Sequence, residues 1–364
     1  MPAELSDYKQ EDEMIMKNNS IITIPLLALS LLVTGCGTST ASSTVTSSTT
    51  VKTTTTSKKP MTIKVAYVPA TLFAPLFVAI DKGYFKKSGL KVELKTVVAG
   101  QDANIFVANG KLDAAAVGFS AGLFNDIAKG LAISVVAPMG VIPTHQDPSP
   151  LVVAKGSHIT SMQQLKGKTI AIAGGLGSTG SYMLATALKD AHMKMSDVKI
   201  ANMSFPAMVT ALEKKAITGA VLPAPFSTAV LAKHAAHILT NVGANQDLTG
   251  ILMGNQFIKN HPHASAAFIR DLLLAARDLQ GKQYYSKSNL AIFHHYTHLP
   301  IKTLKAMPPF NFPANDTIHT SIFTSMQKLF LHEHLLTYKT LLPASKIVNT
   351  TLAKDAVHTL GHVA

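Results

Sequence analysis

Three glycines, Gly175, Gly177 and Gly180, stand in TIAIAGGLGSTGSYMLATALK (residues 169–189) at the spacing G-x-G-x-x-G, between a strand-like run and an amphipathic helical one. That spacing suits a turn that brings backbone amides against a dinucleotide pyrophosphate, provided an acid at the end of the next strand holds the ribose. Here the next strand-like run, VKIANMSF, ends on Asn202 and Ser204, while Asp197 precedes it. The second half of a dinucleotide fingerprint is therefore missing. What remains is a helix start decorated with Ser178, Thr179 and Ser181. Free helix N–H groups, the positive end of the dipole and neutral hydroxyl donors together suit an anion or a polar head group. Capping alone needs one hydroxyl. Three glycines and three hydroxyls point instead to a polar-ligand site at Ser178, Thr179 and Gly180.

Other chemistry has little to work with. Ten of the fifteen histidines fall between His261 and His362, with His294 and His298 four apart and His332 and His334 flanking Glu333. A metal site needs three or four converging ligands, and no HExxH or supporting Cys accompanies them, so surface histidines are the expectation. Arg270 and Arg277 lie beside Asp271 and Asp278 on one helical stretch and read as a solvated face. Without a bidentate Arg clamp, a monoanion or zwitterion fits better than a phosphate ester. No Ser-His-Asp order, nucleophile elbow or carboxylate pair stands out. No catalytic activity and no cofactor are expected.

The single cysteine excludes an internal disulfide, and its setting gives it another use. A run of thirteen mostly apolar residues, Ile21 to Val33, ends in Val33-Thr34-Gly35-Cys36. This is too short to span a bilayer and has the shape of a signal-peptide core. The expectation is a lipoprotein leader over residues 1–35 with lipid on Cys36; the acidic opening suggests a start at Met14 or Met16. From Gly37 to Ser57, sixteen of twenty-one residues are Ser or Thr, a composition that cannot bury a core, so 36–60 reads as a flexible tether. Loss of 1–35 removes two lysines and five acids and raises the net charge from +13 to +16. An exported chain would meet an anionic wall or membrane surface with that charge, not nucleic acid.

The glycine turn needs a scaffold, and after Pro60 the pattern supplies one. Strand-like and helical runs alternate: TIKVAYV, then TLFAPLFVAIDKGYF, LKVELKTVV, QDANIFVANGKL, DAAAVGF, SAGLFNDIAKG and LAISVVAPMG. The pattern restarts at SPLVVAKG and runs through TIAIA, VKIANMSF, PAMVTALEKKA and TGAVLPAPF. Such alternation implies a mainly parallel sheet covered by helices. The similar wiring of ANIFVANGKLDAAAVGFSAG and AMVTALEKKAITGAVLPAPFS implies two lobes: 61–145, then 146–255, with 256–364 returning to the first lobe as helices. TGILMGNQFI would carry the chain back across the hinge. Ligands of open α/β sheets bind beyond the strands' carboxyl ends. The turns at Pro69 to Pro75, Phe119 to Gly122 and Pro223 to Ser227 would therefore join the glycine turn around one cleft, with Phe73 and Phe226 as apolar contacts.

Several stretches carry a family resemblance: FVAIDKGYFKKSGLKVEL, ANGKLDAAAVGFS, LKGKTIAIAGGLGSTGSYMLATALKDAHM and ALEKKAITGAVLPAPFS, in that order over about residues 61–300. With the lipobox and tether, they resemble solute-binding lipoproteins of ABC importers, in the family that captures nitrate, sulfonates, taurine and thiamine-pyrimidine precursors. The resemblance implies a periplasmic-binding-protein-like α/β fold: two lobes around a central cleft joined by a hinge. It implies a small anionic or polar ligand, a membrane permease as partner, a monomer, and an extracytoplasmic, lipid-anchored location. By carry-over, Thr71, Leu72, Phe73, Ala74, Ser120, Ser178, Thr179, Gly180, Pro225 and Phe226 would line the cleft. Ala220 stands where the family usually has Asp, and the body lacks both Cys and Trp. A metal-capturing surface lipoprotein and an enzyme of precursor biosynthesis on the same fold are the alternatives.

Overall fold

Alternating Val, Ile and Ala runs become two five-stranded sheets in the computed structural model, which describes residues 59–363. The leader, Cys36 and nearly all of the Ser/Thr tether lie outside the described residues. The first sheet holds β1 (Met61–Tyr67), β2 (Leu90–Thr96), β3 (Ala114–Gly118), β4 (Ile133–Pro138) and β10 (Thr249–Gly254), in the order β2-β1-β3-β10-β4. The second holds β5 (Leu151–Ala154), β6 (Thr169–Ile172), β7 (Lys199–Asn202), β8 (Gly219–Val221) and β9 (Ala236–Thr240), in the order β7-β6-β8-β5-β9. Both lobes belong to one continuous unit.

The sheets are mixed, which departs from the mainly parallel expectation. Each has a parallel trio, β2-β1-β3 and β7-β6-β8, extended by antiparallel strands. β10 runs against β3 and β4, and β5 runs against β8 and β9. Every antiparallel pair arises where the chain changes lobes, because a strand entering from the hinge runs opposite to strands that helical crossovers deliver. β9 had no counterpart among the expected strands. Its AHILT is only half-buried, on a sheet edge, where the apolar run is shortest. β10 sits wholly in the first sheet, so the chain has already crossed back before the boundary placed at 255.

Strands β3, β4, β5, β8 and β10 are largely buried and mark the core. The helix Pro262–Arg277 packs against Ala74–Asp81 and Thr351–Leu360 over the first lobe. The helix Ser321–His332 reaches both lobes: Phe323 and Phe330 lie against Phe124 of the first lobe, and Phe330 also meets Tyr182 of the second, with ring centroids 6.2 Å apart. Gly83, in left-handed conformation (φ 72°), separates the helix Ala74–Asp81 from the helix Tyr84–Lys87.

Candidate functional site: the cleft between the lobes

The loops that leave the parallel strands of both lobes meet face to face. Gly174 to Gly177 follow β6 with left-handed backbone at Gly174, Gly175 and Gly177 (φ 79°, 62° and 80°), a region open to glycine without steric cost. Gly180 serves a different need: a Cβ there would come within 2.7 Å of Ile172 Cγ2, so its absence lets the helix Thr179–Asp190 lie close on β6. Asn202, where a dinucleotide site would want its acid, instead accepts the Gly174 N–H at 3.0 Å and holds the turn.

The three hydroxyls of the turn are engaged within the protein. Ser178 caps the helix by accepting from the Ser181 N–H at 3.2 Å and donates to the Gly175 carbonyl at 2.8 Å. Ser181 accepts from the Gly177 N–H. Thr179 donates to the Phe119 carbonyl across the cleft at 2.8 Å. Ser120, from the first lobe, caps its own helix Ala121–Ala128 by accepting from the Leu123 N–H. Capping and lobe contact thus account for the hydroxyls that the sequence pattern had assigned to a ligand.

Further bonds join the lobes. The Ala121 N–H donates to the Gly177 carbonyl at 2.8 Å, and Gln101 Nε2 to the Gly174 carbonyl at 3.2 Å. The Thr71 N–H and hydroxyl both reach the Ala224 carbonyl, at 3.3 and 3.0 Å. Gly118 allows the approach, since a Cβ there would overlap the Thr179 hydroxyl. The lobes therefore stand closed upon one another around the cavity left between them.

That cavity holds about 800 Å³ of empty space, counting its open mouth. Of the expected residues, Leu72, Phe73, Ser120, Ser178, Thr179 and Gly180 line it. Thr71 and Ala74 are fully buried behind the wall, Thr71 spent on the Ala224 contact. Pro225 and Phe226 also stand back from the lining. Phe226 packs on Phe205, whose ring lies 5.6 Å away and does line the cavity. Sequence reasoning missed a fifth strand-to-helix turn, Val98 to Gln101 after β2, although it repeats the pattern of the others. It also missed Phe310, which arrives from the C-terminal segment, and Ile142, Ser149, Leu248 and Thr249 from the hinge. Long-range placement of that kind leaves no local signal.

Two hinge segments, 139–150 and 241–248, lie side by side behind the cavity. Asp147 ties them together: its carboxylate accepts from the Ser149 N–H at 2.6 Å and the Val242 N–H at 2.7 Å. Burial pushes this carboxyl up to about 6 from its ordinary 3.8, against the pull of the two backbone donors. Asn245 N–H to the Ile142 carbonyl, at 2.7 Å, adds a second rung. Arg270 and Arg277 are both committed elsewhere, Arg270 to Asp271 and Ser88 and Arg277 to the carbonyls of Ala314, Leu360 and Gly361. Among the described residues, no group of three or more His, Cys, Asp or Glu is placed to hold a metal ion.

Two α/β lobes, a double-crossover hinge and a cavity between the strands' carboxyl ends define the periplasmic-binding-protein fold. The chain belongs to the NMT1/THI5-like family, whose pattern matches residues 70–282. A curated relative, the riboflavin-binding protein RibY of Chloroflexus aurantiacus, is 24% identical over 268 residues, covering 71% of this chain and 73% of its own. Solved structures share the fold. The alkanesulfonate-binding protein SsuA from Xanthomonas axonopodis pv. citri, bound to MOPS, superposes with a TM-score of 0.66 at 19% identity, covering 80% of this chain and 99% of that one. The periplasmic nitrate-binding protein NrtA from Synechocystis PCC 6803 gives a TM-score of 0.66 at 14% identity, covering 83% and 89%.

Proposed function

We propose that this protein is the extracytoplasmic solute-binding component of an ABC importer, fixed by lipid on Cys36 and presenting a captured solute to a membrane permease. The observation that carries this reading is the convergence of strand-end loops from both lobes on one cavity, backed by two hinge segments. Capture follows from geometry: a ligand that touches both lobes stabilises the closed state by its differential affinity for it. The relatives' named ligands, riboflavin, alkanesulfonate and nitrate, set the range of solutes to try.

The protein acts without chemical turnover. Among the described residues that line the cavity none carries a carboxyl, imidazole or amine that could move a proton as general acid or base. Thermal melting against nitrate, short alkylsulfonates, taurine, pyrimidine precursors and riboflavin tests the reading. A solute present at a hundred times its Kd adds about 2.7 kcal/mol, a shift readily seen. Silence from the whole set, or turnover of a bound compound, would overturn the proposal.

A further inference from the structure

The cavity wall carries no formal charge. Phe73, Phe205, Phe310, Met183, Val98 and Leu248, with further aliphatic residues, give it an apolar surface; its other members are small, hydroxyl or amide residues, and among the described lining residues there is no Lys, Arg, His, Asp or Glu. The hydroxyl protons of Ser178, Thr179 and Thr249 are already given to backbone carbonyls, while Ser120 accepts a capping N–H and keeps its own O–H for a neutral acceptor. Both guanidinium groups are bound elsewhere on the Pro262–Arg277 helix. Two buried carboxyls stand beside the wall: Asp147, which receives the N–H of the lining residue Ser149, and Asp247, next to the lining residue Leu248 and bonded to His319.

An anion entering this cavity would give up its hydration and meet two helix starts, at Ser120 and Ser178, with no formal counter-charge beside them. Without a cationic partner, neutral donors offset the cost of burying a charge only in part. A cation would find no carboxylate on the wall. We infer that the cleft is selective for an uncharged, flat, largely apolar solute, and that it discriminates against the sulfonate and nitrate class. This inference rests on the reading of the cavity as the solute site. Thr179 and Gly180, at the start of their helix, have backbone N–H groups with no acceptor among the described residues. They suit a carbonyl oxygen or ring nitrogen of a neutral ligand. Gln101 Nε2, now on the Gly174 carbonyl, adds a donor at the rim. The aromatic side chains supply surface for a ring, where offset or edge-on packing is favoured.

Sets of probes matched in shape and differing in charge test this: benzamide, benzoate and benzamidine at millimolar concentration, and riboflavin against its 5′-phosphate. Binding is read by calorimetric titration and by melting shift on the intact protein. The neutral member of each set is expected to bind at least tenfold more tightly than its charged partners, and the preference should persist at high salt. A charged member that binds as well or better overturns the inference and leaves solute binding standing. No binding by either set also overturns it; if the nitrate, sulfonate and pyrimidine panel is silent too, the binding reading falls with it. A rise in the ratio of benzoate to benzamide affinity on Val98→Lys would support the missing counter-charge as the cause. No rise in that ratio would contradict it.

Discussion

At the scale of single residues, Gly118 and Thr179 decide how closely the lobes meet. The Thr179 hydroxyl donates to the Phe119 carbonyl at 2.8 Å, and Gly118 leaves room for it. Thr179→Ala removes one lobe-to-lobe hydrogen bond, with an expected loss of about 1 kcal/mol from the closed state. Gly118→Ala places a methyl against the Thr179 side chain and is expected to hold the lobes apart while each lobe stays folded. Small-angle scattering should then show a larger radius of gyration than for the wild type; an unchanged radius would show that the contact yields. The serines and glycines of the turn were plain in the sequence, but their partners were not. Ser178, Ser181 and Thr179 look like ligand donors in a linear string. Only the folded chain shows that the Gly175, Gly177 and Phe119 backbone groups take them up.

Among the elements, several helices end in an unusual way. His192, His234, His298 and His334 follow helices in left-handed conformation, with φ of 58°, 51°, 56° and 57°. Glycine is the ordinary residue at such ends, since a Cβ costs about 1 kcal/mol there. This gives a structural place to histidines that a sequence reading could regard only as surface decoration. His298 is exposed and closes the helix Lys287–Thr297 through its N–H to the His294 carbonyl at 2.8 Å. His298→Gly is expected to raise stability by up to about 1 kcal/mol, measured by chemical denaturation; a loss would mean that the imidazole makes a contribution of its own. The Ser321–His332 helix should behave oppositely. Phe330 is fully buried between the lobes' aromatic side chains, so Phe330→Ala should cost about 3–5 kcal/mol. The alternating strands and helices of both lobes were legible because each keeps its own period of apolar residues. β9 and the antiparallel sense of β10 and β5 were not, because strand direction follows from the hinge path and leaves no mark on local pattern.

Across the whole molecule, the hinge couples stability to pH and the cavity couples it to solute. Burial raises the carboxyls of Asp147, Asp271 and Asp316 above their usual range. For Asp147 the folded carboxyl holds its proton at a higher pH than the unfolded one. The folded state therefore binds more protons between about pH 4 and pH 6, and stability falls as pH rises through that window. The contribution is on the order of 3 kcal/mol. Asp147→Asn should flatten this part of the stability profile, so the wild type's Tm should fall relative to the variant's from pH 4 to pH 7; a constant difference would contradict the assignment. The two-lobed plan was legible from the repeat of helix, turn and small-residue strand. The cavity's lining was legible only in part, because Phe310 and the hinge residues come from segments far apart in the chain. The central claim, that this cavity captures the solute, is tested most directly at its mouth. Val98 lines the cavity and is 54% exposed, so Val98→Trp can obstruct entry without disturbing the core. The measurement is calorimetric titration of wild type and Val98→Trp with whichever solute gives the largest melting shift. A tenfold or greater loss of affinity, with the ligand-free Tm unchanged, is the predicted result; equal affinities would place the solute elsewhere and contradict the account.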